Sequence, residues 1–500
     1  MELYELNLHD AISGLKDKKF SASELFASCK ARIDALEPNV RAFITRTDST
    51  PQPCENPEGL LAGIPTVLKD NLCTTGIRTT AASKILGGWR PPYDATAWKY
   101  LRESGAILMG KVNMDEFAMG NTCGNSAFGP THNPNDISRV PGGSSGGSAA
   151  AVSAGYVPFS LGSDTGGSIR QPASFCGVYG LKPTYGMVSR YGLISYGSSL
   201  DQIGPFARTV RDLQLVMSVL AQYDPMDSSC FREKNPDFTH REDVSLKGKR
   251  VALVKEFQSF TLDAPIAEAM KKTRKVLEDE GAIITEVSLP VVAKYAVACY
   301  YALAMSEAHT NLERYDGVRL GYTVTDAAGV KEMFEEVRSY GFGSEVKSRI
   351  IAGTCLTEPS RCDEYYVAAT KVRTLIAQEF ARAFGETDFI LQPVTPSLPH
   401  KIGEEDDDAM KGYETDLYTL PVNLAGLPGL SFFTGYALGQ PSLTPPNLGG
   451  EQGGNPSAQR GLPVGLQLIG PRWSDPELLN AGVILERNLG TPKIANGGID

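Results

Sequence analysis

Apolar positions along this chain follow two rhythms that alternate. Near the N-terminus Leu8, Ile12 and Leu15 fall at helical spacing, and Leu25, Cys29 and Ile33 carry a second apolar face. Ser21 precedes that face with Glu24 three residues on, a capping-box signature. The chain therefore reads as helical from about 5 to 38. A polar, proline-bearing loop at 48–57 gives way to a β-like run, Leu60 to Leu68, that stops abruptly at Lys69-Asp70-Asn71. Residues 94–104 predict a helix and 106–112 a strand, and 113–117 read as the start of another helix. The Asn-, Pro-, Gly- and Ser-rich segment 124–139 predicts a long loop.

Further on, 177–183 and 186–193 read as short buried strands and 208–223 as a helix. Composition turns polar at 224–246, a boundary or peripheral excursion. A strand (249–257), a helix (266–280) and a strand (282–288) then make a βαβ-like unit. Residues 294–385 read as mostly helical, with breaks near 340–343 and 354–360, and 389–394 and 462–470 as buried strands. The run Glu404 to Asp408 reads as a solvated acidic turn, and 439–461 as a Pro/Gly-rich tract. The alternation of helix and strand predicts an α/β organisation.

One stretch breaks both rhythms. Residues 141–172, PGGSSGGSAAAVSAGYVPFSLGSDTGGSIRQP, carry no charge between Arg139 and Asp164. Gly, Ser and Pro leave it too little apolar area for a membrane span. It has no lysine for a phosphate loop. A flexible Gly/Ser linker is the stronger bland reading, but Ala149–Val152 and Tyr156–Leu161 are apolar enough to be core. Glycines between buried elements let backbone N–H groups approach a ligand and form an anion-binding nest. A serine at the end of such a nest suits acyl transfer.

Composition narrows the class. A hydrophobic share of 42% and a charged share of 21% belong to a soluble globular protein. The formal net charge of −10 argues against the chain as a whole gripping nucleic acid. Cysteines at 29, 54, 73, 123, 176, 230, 299, 355 and 362 include no C-x-x-C pair, which favours reduced thiols over disulfides or zinc. The N-terminus carries acids early and has no apolar signal core, so the cytoplasm is the expected location.

A serine nucleophile needs a base. Gly142-Gly143-Ser144-Ser145-Gly146 satisfies G-x-S-x-G, with His309 and His400 as late histidines, but a Gly/Ser tract meets that pattern by composition alone. The other solution is a neutral lysine, and burial of Lys69 behind Ile64–Leu68 would lower its pKa.

Three motifs, Leu61 to Asn71, Pro141 to Ser148 and Gly162 to Pro172, together resemble the amidase signature family in order and spacing, over nearly the whole chain. The resemblance implies a large mixed central β-sheet flanked by helices on both faces. It implies one such unit over 1–500, with an N-terminal helical part (about 1–60), a catalytic core (about 60–222), a peripheral part carrying pocket residues (about 247–385) and a return to the core (about 386–500). It implies Lys69 as base, Ser144 as bridging serine after a cis peptide bond, Ser168 as nucleophile, and backbone N–H groups of Thr165, Gly166 and Gly167 as the oxyanion hole.

Within the family, Tyr300 to Ala302, Arg314 to Arg319, Phe342 to Ile350, Lys371 to Ile376 and Asp416 to Pro428 resemble the glutamine-hydrolysing A subunits of tRNA-dependent amidotransferases. That closer resemblance implies B and C partner subunits, with misacylated tRNA held mainly by B, and ATP and Mg used there with no cofactor or metal in this chain. Arg349 would bind the glutamine carboxylate and Asp416 its ammonium, with Tyr300 (or Tyr301) lining the pocket. Two departures stand out: Ser348-Arg349 where the family often has two arginines, and a 440–460 tract longer than the family loop. A free-standing amidase and a catalytically silent scaffold are the competing readings.

Overall fold

The structure is a computed structural model that describes residues 2–48, 54–231, 236–404, 415–437 and 461–498. Eleven strands form one mixed sheet in the order β1-β3-β2-β4-β6-β5-β10-β11-β9-β7-β8. They are β1 (Phe43–Arg46), β2 (Pro65–Lys69), β3 (Ile107–Val112), β4 (Phe159–Asp164), β5 (Tyr179–Lys182), β6 (Gln202–Ala207), β7 (Arg250–Val254), β8 (Ile283–Val287), β9 (Phe389–Pro393), β10 (Gly429–Tyr436) and β11 (Pro463–Ile469). β2 runs parallel to both β3 and β4, and β7 parallel to β8 and β9. The remaining pairs are antiparallel.

The helices Leu8–Lys16 and Ala22–Val40 follow the N-terminal periodicity, and Ser21 and Glu24 close the expected capping box. The βαβ-like unit is present as β7, the helix Ala264–Asp279 and β8, and it extends the same sheet through β9. Two expectations fail here. Residues 113–117 do not open a helix: a short turn at Glu116–Ala118 carries Phe117 at φ 50°. The Asp115 carboxylate accepts from the amides of Cys123 (2.9 Å) and Asn125 (3.1 Å), pulling the chain back on itself. Residues 186–193 form turns and touch the sheet system only through an isolated bridge, Leu72 to Leu193.

The helical region also has an unforeseen break after Pro290–Leu312, where the Asp316 carboxylate takes the amides of Val318 and Arg319 (both 2.9 Å). Strands β1, β6 and β10 and the helix Asp475–Leu489 were not anticipated. Most of the acidic run and nearly all of the 439–461 tract lie outside the described residues.

The uncharged stretch is buried, not a linker. Between Val140 and Gln171 every residue is buried except the partly exposed Gly166. The helix Gly146–Ser153 is buried all round, and small side chains let it nest against β2, β3 and β4. Its hydroxyls find main-chain acceptors: Ser148 Oγ donates to Leu161 O (2.9 Å) and Ser153 Oγ to Cys176 O (2.7 Å). Two apolar clusters result, one over this half of the sheet and one around the helix Pro290–Leu312.

Candidate functional site

Because β2 and β4 are adjacent and parallel, their C-terminal ends open on the same edge of the sheet. Lys69 is the last residue of β2, and Ser163 and Asp164 close β4. The loop carrying Ser144 and Ser145 enters the helix Gly146–Ser153 beside them, through a cis Gly143–Ser144 peptide. Crevices at strand carboxyl ends are where ligands bind in α/β sheets.

Lys69 is fully buried, and its Nζ reaches Ser144 Oγ (2.7 Å), Ser145 Oγ (2.8 Å), Ser163 Oγ (2.9 Å) and Ser163 O (3.3 Å). Burial lowers its pKa to about 7, against the raising effects of Asp115, Cys123, Asp164 and Asp201. The hydroxyl partners are not equivalent. Ser145 Oγ donates its own hydrogen to Ser163 O (2.9 Å), so toward Lys69 it can only accept. Ser163 Oγ also takes the Asn71 amide (3.0 Å). A neutral amine has two hydrogens, and Ser145 and Ser163 consume them. Its lone pair is left for the proton of Ser144.

Lowered lysine basicity alone does not mark this site. Burial brings Lys182 to about 7 as well, yet its ammonium bonds the Pro183 carbonyl (2.9 Å) in the surroundings of Arg170 and Asp475.

Ser168 follows the turn after β4. Its carbonyl accepts from the Ser145 amide (3.2 Å), which ties the two serine loops together. Its hydroxyl is hydrogen-bonded to no described residue, and Ser168 is only 7% exposed. The turn is built on Asp164, which forms a fully buried pair with Arg170 (3.1 Å). Burial would raise the Asp164 carboxyl, but Arg170, Lys182 and Asn423 hold it well below the usual carboxylate range. Asp164 also accepts the amides of Gly167 (2.8 Å) and Ile169 (3.1 Å). The Gly167 N–H is thus engaged, whereas the amides of Thr165, Gly166 and Ser168 have no partner among the described residues. Gly166 leaves no room for a side chain: an added Cβ would stand 2.6 Å from the Tyr300 hydroxyl.

The three pocket residues also converge here. Tyr301 donates its hydroxyl hydrogen to Asp416 Oδ2 (2.6 Å), and the Tyr300 and Tyr301 rings meet edge to face at 5.4 Å. Arg349 donates to Glu345 Oε1 (2.7 Å) and to the Tyr196 hydroxyl (2.7 Å), with its guanidinium 5.9 Å from the Tyr301 ring centre. Burial raises the Asp416 carboxyl, opposed by Tyr301 and by the nearby charge of Arg349. A cation and an anion therefore stand near each other on either side of the Tyr301 side chain. Tyr300 abuts the Gly166 turn, while Tyr301 holds Asp416, so the structure places both tyrosines beside these residues.

Ser145, Ser163, Tyr196 and Asp201 went unnoticed in the sequence. The first two stood inside recognised motifs, and the last two sit in a segment with no motif. His309 faces Thr354 (3.1 Å) and Glu313 (3.3 Å) instead of a serine. Among the described residues, no group of three His, Cys, Asp or Glu is placed to hold a metal ion, and no helix is long and apolar enough to cross a membrane.

The amidase family model matches residues 25–479. Proteins named as the A subunit of glutamyl-tRNA(Gln) amidotransferase, from Halothermothrix orenii and Heliobacterium modesticaldum, are 45% and 47% identical to the chain, each match covering 98% of both sequences. The crystal structure of the protein of that name from Thermotoga maritima has a TM-score of 0.80 at 37% identity, covering 99% of both chains. A 6-aminohexanoate cyclic dimer hydrolase shares the fold, with a TM-score of 0.81 at 23% identity over 98% of both chains. By sequence and by fold, the chain belongs to the amidase family.

Proposed function

We propose that this chain is the glutaminase subunit of an aminoacyl-tRNA amidotransferase, working through a Ser168 acyl-enzyme. The observation that carries the reading is the pairing of Lys69 with Ser144 (2.7 Å), in a molecule that also brings Arg349 and Asp416 together around Tyr301. Glutamine is a zwitterion with a side-chain amide, so it needs a cation, an anion and an acylation centre together. The names of the full-length relatives support the same reading.

In this mechanism Arg349 takes the α-carboxylate and Asp416 the α-ammonium, which sets the side-chain amide against the Gly166 turn. Ser168 Oγ attacks the amide carbon. Its proton passes to Ser144, whose own proton moves to the neutral Lys69 amine. The oxyanion takes the free amides of Thr165, Gly166 and Ser168, while Gly167, bound to Asp164, keeps the turn in shape. Lys69 then returns a proton through Ser144 to the leaving nitrogen. Ammonia departs, and water hydrolyses the γ-glutamyl ester by the reverse relay.

The ammonia would serve a B subunit that holds the misacylated tRNA, Glu-tRNA(Gln) or also Asp-tRNA(Asn), and activates its carboxylate with ATP and Mg. A small C subunit would hold the other two together. The test is ammonia release from glutamine by wild type and Ser168→Ala, alone and with B and C subunits plus charged tRNA. Partner-dependent release that vanishes in the variant is the expected result. Hydrolysis of other amides without glutamine turnover would instead make the chain a free-standing amidase.

A further inference from the structure

Asp201 is buried and lies outside the groups the mechanism uses, yet it touches both halves of the site. Its Oδ1 accepts the Thr165 hydroxyl (2.6 Å) and the Gly197 amide (3.2 Å), and its Oδ2 accepts the Tyr196 amide (3.0 Å). Thr165 opens the turn that carries the free amides and Ser168. Tyr196 presents its hydroxyl to Arg349 (2.7 Å) and is hydrogen-bonded to Tyr300 as well. One carboxylate thus joins the oxyanion turn to the segment that aims the carboxylate-binding arginine.

That segment has its own anchors on the far side. Asn311 donates to Tyr196 O (3.2 Å), Ser199 donates to both oxygens of Glu307 (2.6 and 2.9 Å), and Arg373 donates to Ser199 O (2.8 Å). The 196–201 loop is therefore fixed to the pocket helix at one end and to the acylation turn at the other, with Asp201 the link between them. Only a carboxylate can do this. Three donors converge on two oxygens, and an amide at this position would offer one oxygen and point an N–H₂ at another donor.

We propose that Asp201 is a positioning residue that couples recognition of the glutamine α-carboxylate at Arg349 to the alignment of the oxyanion turn at Thr165. The inference rests on the glutaminase reading. It predicts that Asp201 governs the acylation rate more than the affinity for glutamine, because the turn meets negative charge only as the tetrahedral intermediate forms.

The experiment measures kcat and KM for glutamine hydrolysis in the assembled enzyme for Asp201→Asn, Tyr196→Phe, Thr165→Val and the Asp201→Asn/Thr165→Val pair, with Ser168→Ala as control. Asp201→Asn should lower kcat by roughly 10- to 100-fold, within the range for losing alignment of one oxyanion donor, and raise KM by less than about threefold. Tyr196→Phe, which frees Arg349, should mainly raise KM. Thr165→Val should add less than about twofold on top of Asp201→Asn, the mark of two residues acting through one contact. A kcat near wild type in folded Asp201→Asn, a change confined to KM, or multiplicative effects in the pair would each overturn the proposal. An active Ser168→Ala control would instead overturn the glutaminase reading beneath it.

Discussion

Two lysines stand side by side in this sheet, and they meet different fates. Lys69 ends β2 and Lys111 is the next-to-last residue of β3. In the parallel register Leu68 lies opposite Lys111, and Lys69 opposite Val112. Side chains alternate along a strand, so the two ammonium groups point to opposite faces. Both are fully buried, and burial lowers the basicity of both. Lys111 has the Asp70 carboxylate at 3.6 Å, along with the Thr79 hydroxyl (2.9 Å) and the Leu72 carbonyl. Lys69 has three serine hydroxyls and a carbonyl instead.

Burial makes the charge costly in both places, and the partners decide whether it stays. A carboxylate compensates the charge and turns Lys111 into a structural tie. Hydroxyls tolerate either protonation state, so Lys69 can lose and regain a proton at modest cost. Lys69, with no carboxylate at contact distance among the described residues and the Ser144 hydroxyl at 2.7 Å, has the surroundings that the proposed base needs.

Substitution at Lys69 puts this contrast under the greatest load. Lys69→Ala and Ser168→Ala are each expected to lower kcat for ammonia release by roughly 10⁴-fold or more. Lys69→Arg should rescue nothing, because a guanidinium does not deprotonate. Measurable turnover in Lys69→Arg would show that proton transfer bypasses the lysine.

Next comes the structural lysine. Lys111→Met leaves Asp70 buried without its counter-charge and should cost about 3–5 kcal/mol in urea unfolding. The Lys111→Met/Asp70→Asn pair should recover much of that loss, and turnover per folded molecule should stay within about threefold of wild type. A folded but inactive Lys111→Met would erase the distinction between the two lysines.

A subtler expectation concerns pH. With the Lys69 pKa lowered to about 7, the neutral base dominates above that value and the ammonium below it. Single-turnover acylation should therefore rise with pH and level off above an inflection near 7. A rate flat across that range would rule out Lys69 as the titrating base. The smallest effect is expected from Ser145→Ala, which removes one acceptor from Lys69. A cost of about 1–2 kcal/mol, or roughly tenfold in kcat, is expected there.

Much of this was readable in the chain. Helical spacing located Leu8–Lys16 and Ala22–Val40, and Ser21 with Glu24 marked the start of the second. Where local hydrogen bonding overrode pattern, the reading failed: Asp115 folded 113–125 back through two amides, and the turns at 186–193 form no strand despite their apolar content. Strands such as β6, six residues buried on both faces, offer no alternation to detect.

The order of amino acids was enough to establish the motif residues, the uncharged stretch that set them apart, and the groups available for acid–base work. What each of them touches was decided in three dimensions. Lys69 and Ser144 are 75 residues apart in the chain, and Arg349 and Tyr196 are 153 apart. Hydrogen bonds are short and directional, so which hydroxyl accepts, which amide stays free and which tyrosine holds Asp416 depend on ångström-scale placement that no local pattern encodes. The Gly166 and Gly167 amides make the point: neighbours in one motif, one is free among the described residues and the other is spent on Asp164.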